Sequence, residues 1–197
     1  MVRGERDDLV ARAKRGEEAA WVELYGDHAD RLVLWLSHLP HLDAASDAED
    51  IAAEAWLVAA RKVCDFSGNR RDFAGWLFAI ARNISRTRDR TSRRRGTSPA
   101  GSDAAGGSWG PSEDPAAAIV AADATRRLVA QLPEREAQVV ACLDVVGLDV
   151  ATTGTALGMS ATAVRVAHHR GLGRLRRILG DGAPIAPDVT RRPARDM

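Results

Sequence analysis

The segment GWLFAIARNISRTRDRTSRRR, residues 75–95, holds the residues whose types and spacing most strongly suggest chemistry. In a helical projection at about 100° per residue, one face is apolar and consists of Phe73, Leu77, Ile80 and Ile84. The opposite face is basic and consists of Arg82, Arg86, Arg90 and Arg93.

No glutamate between positions 82 and 95 could pair with these arginines one turn away, so the basic face favours a polyanionic partner. A membrane-surface helix would need an apolar face along its whole length, whereas this one stops at Ile84. Nucleic-acid phosphate is therefore favoured over a membrane, and a core helix with a solvated basic face is the simpler alternative.

Trp76 and Asn83 lie two turns apart on the flank between these two faces. An aromatic ring and an amide beside a basic stripe suit an unstacked base, because the ring stacks on the base and the amide pairs with its edge. Core packing explains Trp76 equally well. The preceding polar segment, residues 64–72, turns at Ser67 and Asn69, and is either a wall of such a pocket or only a connection.

A second group of charged residues lies in SDAEDIAAEAWLVAARKVC, residues 46–64, where Asp47, Asp50 and Glu54 share one helical face. Acids near a helix N-terminus complement the helix dipole. That effect accounts well for Asp47 and less well for Glu54, which lies two turns further along. The alternative is a carboxylate face offered to a basic partner.

The segment DVATTGTALGMSATAVRVAHHRGLGRLRRIL, residues 149–179, has the lengths and order of a helix-turn-helix. Asp149 and Ser160 are predicted to cap its two helices. The second helix would enter the major groove of DNA, with outward-facing side chains at Thr162, Arg165, Val166, His169 and Arg170. The arginines could pair with guanine edges or phosphates, and the valine could contact a thymine methyl group. The inner face of this helix is predicted to consist of Val164, Ala167, Gly171, Leu175 and Ile178. His168 is predicted to lie nearer that inner face as a packing or capping residue.

Helical periodicity predicts the elements that position these groups, and strand-like alternation is almost absent. The predicted helices lie near 7–15, 17–38, 46–64, 71–93, 119–131, 134–146, 150–157 and 161–179. Residues 96–118 are rich in Gly, Ser, Pro and Asp and are predicted to be a flexible linker. The predicted fold is all-α, with two small helical domains at 7–95 and 119–180, joined by that linker and followed by a disordered tail at 181–197.

Composition excludes several classes of function. The chain carries 28 basic and 27 acidic residues, so net charge indicates no particular partner. No apolar run could span a bilayer, and the N-terminus has no apolar signal core, so we expect a cytoplasmic protein. Cys64 and Cys142 are isolated and are expected to be buried, reduced thiols. The sequence shows no metal-ligand cluster, glycine-rich phosphate loop or nucleophile–base pair, so we expect neither a cofactor nor enzymatic activity.

Four segments, in order, resemble the extracytoplasmic-function (ECF, group 4) sigma factors of the bacterial sigma-70 family. LVARAKRGEEAAWVELYGDHADRL resembles the start of sigma domain 2, and DAEDIAAEAWLVAARK resembles its polymerase-binding region. FAGWLFAIARNISRTRDRTSRRR resembles the region that melts and reads the −10 element. LPEREAQVVACLDVVGLDVATTGTALGMSATAVRVAHHRGLGRLRRIL resembles domain 4, which reads the −35 element. The resemblance runs from Asp7 to Leu179, and the Arg, Ala and Gly content fits a GC-rich bacterium.

The resemblance implies a role for each group of residues. Asp50 and Glu54, with Asp47 beside them, would contact the clamp helices of core RNA polymerase, and the polymerase flap would be a second contact. The −10 DNA would meet Trp76, Asn83, Ser67, Asn69, Arg82, Arg86 and Arg90. The −35 duplex would meet Thr162, Arg165, Val166, His169 and Arg170. The family also leads us to expect an anti-sigma protein as a partner.

Three residues depart from the family pattern. Ala53 stands between the two clamp acids, where the family often has Gln. Thr153 and Gly154 replace an apolar residue and an alanine in the first helix of the helix-turn-helix. Glycine inside a helix costs about 1 kcal/mol relative to alanine, so we expect domain 4 to be only marginally stable alone. The competing hypothesis is an autonomous helix-turn-helix regulator that binds DNA without polymerase, and such a protein has no use for an acidic face.

The predicted linker has a geometric requirement. Promoter elements separated by about one and a half to two duplex turns lie ~50–70 Å apart, at ~34–36 Å per turn. Some twenty residues reach at most ~80 Å when fully extended, whereas a free coil of that length spans ~25–30 Å. We therefore expect polymerase to stretch the linker.

Overall fold

The computed structural model describes residues 9–39, 45–95 and 115–180, without the side chains of 45–46, 92–95 and 115–120. Residues 7–8, most of the predicted linker and the predicted tail lie outside the described residues. Within the described part of the chain, no helix is long and apolar enough to cross a membrane.

The regular secondary structure of the described segments is entirely helical, and the all-α prediction is confirmed. In chain order the helices are α1 Leu9–Lys14, α2 Glu18–Ser37, α3 Ala45–Lys62, α4 Arg70–Arg95, α5 Pro115–Val129, α6 Glu134–Val140, α7 Val150–Leu157 and α8 Ala161–Leu179. A 3₁₀ turn, Val63–Asp65, follows α3, and a π-helical turn, Ala141–Val145, continues α6. Helix α5 begins at Pro115 rather than at 119, because proline suits the first helical turn and three alanines follow it.

The N-terminal unit, α1–α4, is built around Phe73, which is fully buried. The rings of Trp21, His28, Trp56, Phe66 and Trp76 surround it at centroid distances of 5.6–6.5 Å. Aromatic pairs at such separations stabilise a core by about 0.5–1.5 kcal/mol each beyond their area burial. This cluster fixes α4 against α2 and α3, and so positions the basic face of α4.

The C-terminal unit, α5–α8, has a small core of its own, formed by Val129, Leu132, Ala137, Val140 and Leu175. At Gly171 helix α8 comes close to α6, because a Cβ added there would lie 2.8 Å from Val140 Cγ2. Real Cβ atoms essentially never come that near to another atom, so the close approach of the two helices requires a glycine.

The two units are packed against each other. Helix α7 lies along α4, and the larger core is continuous from Leu36 and Phe78 in the N-terminal unit to Cys142 and Leu157 in the C-terminal unit. The sequence predicts two domains joined by a linker, and it does not predict this contact between them.

Candidate nucleic-acid interface

Helices α7 and α8 form the predicted helix-turn-helix. The Asp149 carboxylate accepts a hydrogen bond from the Thr152 amide at 2.7 Å, and the Ser160 hydroxyl accepts one from the Ala163 amide at 3.2 Å. Both predicted caps are therefore confirmed. Helix α7 is followed by Gly158 as its C-cap, whose φ of 63° lies in the left-handed region that favours glycine.

Gly154, a departure from the family pattern, has a local structural reason. The Met159 amide donates to the Gly154 carbonyl at 2.8 Å, which folds the turn back onto α7. A Cβ at position 154 would lie 2.8 Å from the Met159 carbonyl oxygen. In this chain an alanine at position 154 would force the turn to shift. The turn therefore requires a glycine here, although glycine has a lower helix propensity than alanine.

Helix α8 presents the predicted reading face to solvent. The exposed side chains on that face are Thr162, Arg165, Val166, His169 and Arg170. The inner face is buried as predicted at Val164, Ala167, Gly171 and Leu175. Ile178, predicted to face inward, is 43% exposed, because the last turn of α8 extends beyond the small core.

His168 lies between the two faces and links α8 to the π-helical turn. Its Nε2 is 2.7 Å from Asp144 Oδ2, and its side chain is only 14% exposed. This placement agrees with the predicted packing role and leaves His169 as the histidine of the reading face.

On α4, Trp76 is half-buried, with its ring stacked on Phe66 at a centroid distance of 4.7 Å. Phe66 precedes the loop that carries Ser67 and Asn69, and both of these residues are exposed. The Asn69 side chain accepts a hydrogen bond from the Arg71 amide at 2.8 Å, which ties the loop to the start of α4. The loop and Trp76 are thus adjacent, as a base pocket requires, and Trp76 both packs and keeps an accessible part.

The predicted DNA contacts further along α4 divide into two groups. Asn83, Arg86 and Arg90 are exposed. Arg82 instead turns toward the C-terminal unit, and its Nε is buried without a hydrogen-bond partner among the described residues. Burial, reinforced by the nearby Arg86 charge, lowers the pKa of Arg82. In this conformation Arg82 is not part of the exposed basic face.

The predicted acidic residues Asp47, Asp50 and Glu54 are all exposed on α3. Glu54 also forms an ion pair with Arg88 of α4 at 2.7 Å. Helical spacing within α4 does not predict this pair, because the partner of Arg88 lies on another helix.

An apolar surface, also not predicted from the sequence, adjoins these acids. Leu57, one turn after Glu54, is 58% exposed, and on α2 Val22 and Tyr25 are 65% and 56% exposed. The Tyr25 ring packs on Trp56 at 5.1 Å, which joins the two helices. We call Asp50, Glu54, Leu57, Tyr25 and Val22 the α2–α3 surface. One feature of the sequence indicated this surface: Leu57 lies on the same helical face as Asp50 and Glu54, and that face is exposed.

Comparison with known proteins identifies the family. Sigma-70 region 2 matches residues 24–95, and sigma-70 region 4 matches residues 128–177. The ECF RNA polymerase sigma factor ShbA of Streptomyces griseus subsp. griseus is 34% identical over 180 residues, which cover 85% of this chain and 92% of ShbA. The chain belongs to the ECF RNA polymerase sigma factors.

A second relative of this sigma factor is the ECF sigma factor BldN of Streptomyces coelicolor, 31% identical over 181 residues. That alignment covers 89% of the chain and 66% of BldN, so the chain spans just under two thirds of that relative's length. Two solved structures share the fold. CnrH in complex with the cytosolic domain of CnrY has a TM-score of 0.64 at 20% identity, covering 90% of this chain and 99% of CnrH. RpoE with the anti-sigma factor NepR from Bartonella quintana has a TM-score of 0.56 at 17% identity, covering 84% of this chain and 97% of RpoE.

In this sigma factor the acidic helix α3 and the basic helix α4 lie within region 2, and the helix-turn-helix lies within region 4. Sigma factors are transcription initiation factors rather than enzymes. Among the described residues, no cluster of His, Cys, Asp and Glu could hold a metal ion. Cys142 is buried as predicted, whereas Cys64, also predicted to be buried, is exposed.

Proposed function

We propose that this sigma factor binds core RNA polymerase in the cytoplasm and directs initiation at promoters whose −10 element it melts and whose −35 element it reads. The observation that carries the proposal is the exposed α2–α3 surface on the same unit as the basic helix α4. An autonomous helix-turn-helix regulator needs one DNA-binding face, and an acidic and apolar surface beside a second basic helix would serve no purpose in it.

The α2–α3 surface has the composition of a protein-binding site. Exposed Leu57, Tyr25 and Val22 supply apolar contact area, and Asp50 and Glu54 supply charge at its edge. We assign this surface, together with Asp47, to the polymerase clamp helices. Because Glu54 is already paired with Arg88, a basic group of polymerase would replace that arginine rather than meet a bare carboxylate.

The −10 element is assigned to α4 and the loop before it. The Trp76 ring offers a surface on which a flipped base can stack, while Ser67 and Asn69 lie beside it in the loop. Asn83 lies on the same flank two turns away, about 10 Å along the helix at ~1.5 Å per residue. The exposed Arg86 and Arg90 would bind phosphates of the opened strand.

The −35 element is assigned to the exposed face of α8. Arg165 and Arg170 can each pair with a guanine edge or a phosphate, and a bidentate arginine–guanine pair discriminates by about 1–3 kcal/mol. Thr162, Val166 and His169 complete the face. The polymerase flap is the second proposed contact of region 4.

We also propose an anti-sigma protein as a partner. The support is the fold shared with RpoE, which was solved with the anti-sigma factor NepR, and with CnrH, which was solved with a domain of CnrY.

Run-off transcription on genomic fragments tests the proposal. Core polymerase with the sigma factor should give promoter-specific transcripts, and the double variant Asp50→Lys, Glu54→Lys should lose them. Asp30→Lys is the matched control for Asp50→Lys, because Asp30 is an exposed acid on α2 outside the α2–α3 surface. Full transcription by the double variant would remove the clamp assignment. Tight operator binding by the pure protein, with no transcription when core polymerase is added, would favour the autonomous regulator.

A further inference from the structure

A lysine of α1 holds the start of the loop that precedes α4. Lys14, the last residue of α1, donates from Nζ to the Phe66 carbonyl oxygen at 2.6 Å, across 52 positions of the chain. A hydrogen bond from an ammonium group is shorter and stronger than one between two neutral groups. The Phe66 amide donates to the Val63 carbonyl at 3.1 Å, so both polar groups of the Phe66 backbone have a partner.

This bond fixes the direction in which the chain leaves Phe66. The peptide that joins Phe66 to Ser67 is planar and trans, so its carbonyl and its N–H point in opposite directions. Because Lys14 holds the carbonyl, the Ser67 N–H points away from the lysine. The Phe66 ring at the same time stacks on Trp76 at a centroid distance of 4.7 Å. The orientation of the exposed Ser67 relative to Trp76 therefore depends on Lys14.

The other end of the loop is fixed independently by α2 and α4. The Asn69 amide donates to Asp72 Oδ2 at 2.9 Å, which ties the loop to the first turn of α4. A Cβ at Gly68 would lie 2.8 Å from Asp72 Cβ, so the loop lies close against that helix. Arg70, the next residue, forms ion pairs with two acids of α2. The loop is therefore held at both ends, with Lys14 at the upstream one.

Docking of α1 does not explain the lysine bond. Helix α1 is held by its buried side chains Leu9, Val10 and Ala13. Trp21 Nε1 also donates to the Ala13 carbonyl at 3.1 Å. Lys14 is exposed and adds no buried apolar area to this contact. Removing its ammonium group would leave α1 in place and would release the loop.

We propose that Lys14 is a positioning residue for base recognition in the −10 element, because its bond to the Phe66 carbonyl fixes the loop beside Trp76 before DNA arrives. The proposal rests on the proposed function, in which the loop and Trp76 form a pocket for a flipped base. A loop that is fixed in advance loses little conformational freedom on binding. It also presents its polar groups in one geometry, so a base with the wrong edge leaves buried polar groups unpaired. A released loop adapts to more than one base.

Three variants isolate this role. Lys14→Met removes the donor and keeps an apolar chain of similar length, whereas Lys14→Arg keeps a cationic donor. Lys62→Met is the matched control for the loss of charge, because Lys62 is the other lysine of the chain and is exposed at the end of α3.

Run-off transcription from promoters that carry each base in turn at every −10 position measures the discrimination. At the position where the wild type discriminates most, Lys14→Met should lower the ratio between the best and the second-best base by about three- to tenfold, since a hydrogen bond to a charged group is worth about tenfold or more in an equilibrium constant. Lys14→Arg should restore the ratio, and Lys62→Met should leave it unchanged. Base preferences in the −35 element and affinity for core polymerase should be the same in all four proteins.

A purely structural role of Lys14 would lower transcription from every promoter alike and leave the ratios unchanged. That result, or wild-type transcription and ratios in Lys14→Met, would overturn the proposal. A wild type that transcribes without discriminating between bases at any −10 position would overturn it as well. Absence of transcription from the wild type would instead count against the proposed function.

Hydrogen exchange of the free protein tests the positioning without a promoter. Lys14→Met should speed amide exchange in the segment 66–69 and leave the exchange of α1 unchanged, because that helix keeps its buried contacts. Unchanged exchange in the segment would overturn the proposal. Equal acceleration in α1 and the segment would show that Lys14 docks the helix rather than the loop, and would overturn it too.

Discussion

Replacing His28 with phenylalanine should remove much of the protein's sensitivity to mild acid. The His28 side chain is buried, its ring lies 5.9 Å from that of Phe73, and neither ring nitrogen has a hydrogen-bond partner among the described residues. Burial lowers the pKa of His28 from 6.5 to about 4, while the neighbouring Asp27 charge opposes that shift. The folded protein therefore holds this histidine neutral in a range where the unfolded chain protonates it.

The direction in which stability changes with pH follows from the pKa values of His28 in the folded and unfolded states. Because the folded pKa is the lower one, the unfolded chain binds more protons, and stability is lost as the pH falls from 6.5 toward 4. The shift corresponds to a loss of about 2 kcal/mol between pH 7.5 and pH 5, and about 3 kcal/mol in full. The interval above pH 5 is informative because exposed carboxylates remain largely ionised there.

Urea unfolding at pH 7.5, 6 and 5 measures this loss. The wild type and the control His169→Phe, which changes an exposed histidine of α8, should each lose about 2 kcal/mol more than His28→Phe across the interval. His28→Phe should lose much less, whatever its stability at pH 7.5. Burial also lowers the pKa of His38, and that contribution is common to all three proteins. A pH dependence in His28→Phe equal to that of the wild type would refute the assignment to His28.

Two further predictions concern the candidate DNA contacts and their support. Trp76→Ala should impair strand opening, measured by permanganate reactivity of the −10 region, more than binding to core polymerase, because its ring lies beside the exposed loop and outside the α2–α3 surface. Equal losses in both measurements would remove the base-stacking role. Asp149→Ala removes the cap bond to the Thr152 amide and should lower the free energy of unfolding by about 1 kcal/mol in urea titrations. Asp149→Asn keeps a capping oxygen and should stay near wild type; a loss as large as that of Asp149→Ala would show that charge, not the cap, matters.

The features that were predictable from the sequence are those that depend on neighbours along the chain. Asp149 and Ser160 cap helices within three residues of themselves, so their types and spacing were sufficient. The exposed face of α8 followed from helical periodicity in the same way.

The features that were not predictable depend on distant pairs. Arg82 belongs to the basic face by periodicity, yet it is partly buried because α6 and α7 pack beside it. Glu54 and Arg88 are 34 positions apart and pair only because α3 and α4 are neighbours. Gly75 stands in an ordinary helical pattern, yet a Cβ there would lie 2.9 Å from Thr155 Cβ of α7. No local rule relates such residues, since shape complementarity between remote segments determines the contact.

The close approach of α8 to α6 at Gly171 has a consequence for engineering promoter preference. The five outward residues of α8, which we propose read the −35 element, contact no core, so their identities can be varied without disturbing the packing of the helix. Position 171 has less freedom, because a Cβ there would lie 2.8 Å from Val140 Cγ2, so that either Val140 or the helix carrying all five residues would have to shift. In a library that randomised the whole helix, the members with a side chain at position 171 would therefore have to repack the contact between α6 and α8. A library that kept this one glycine would retain the docking angle while changing the sequence that is read.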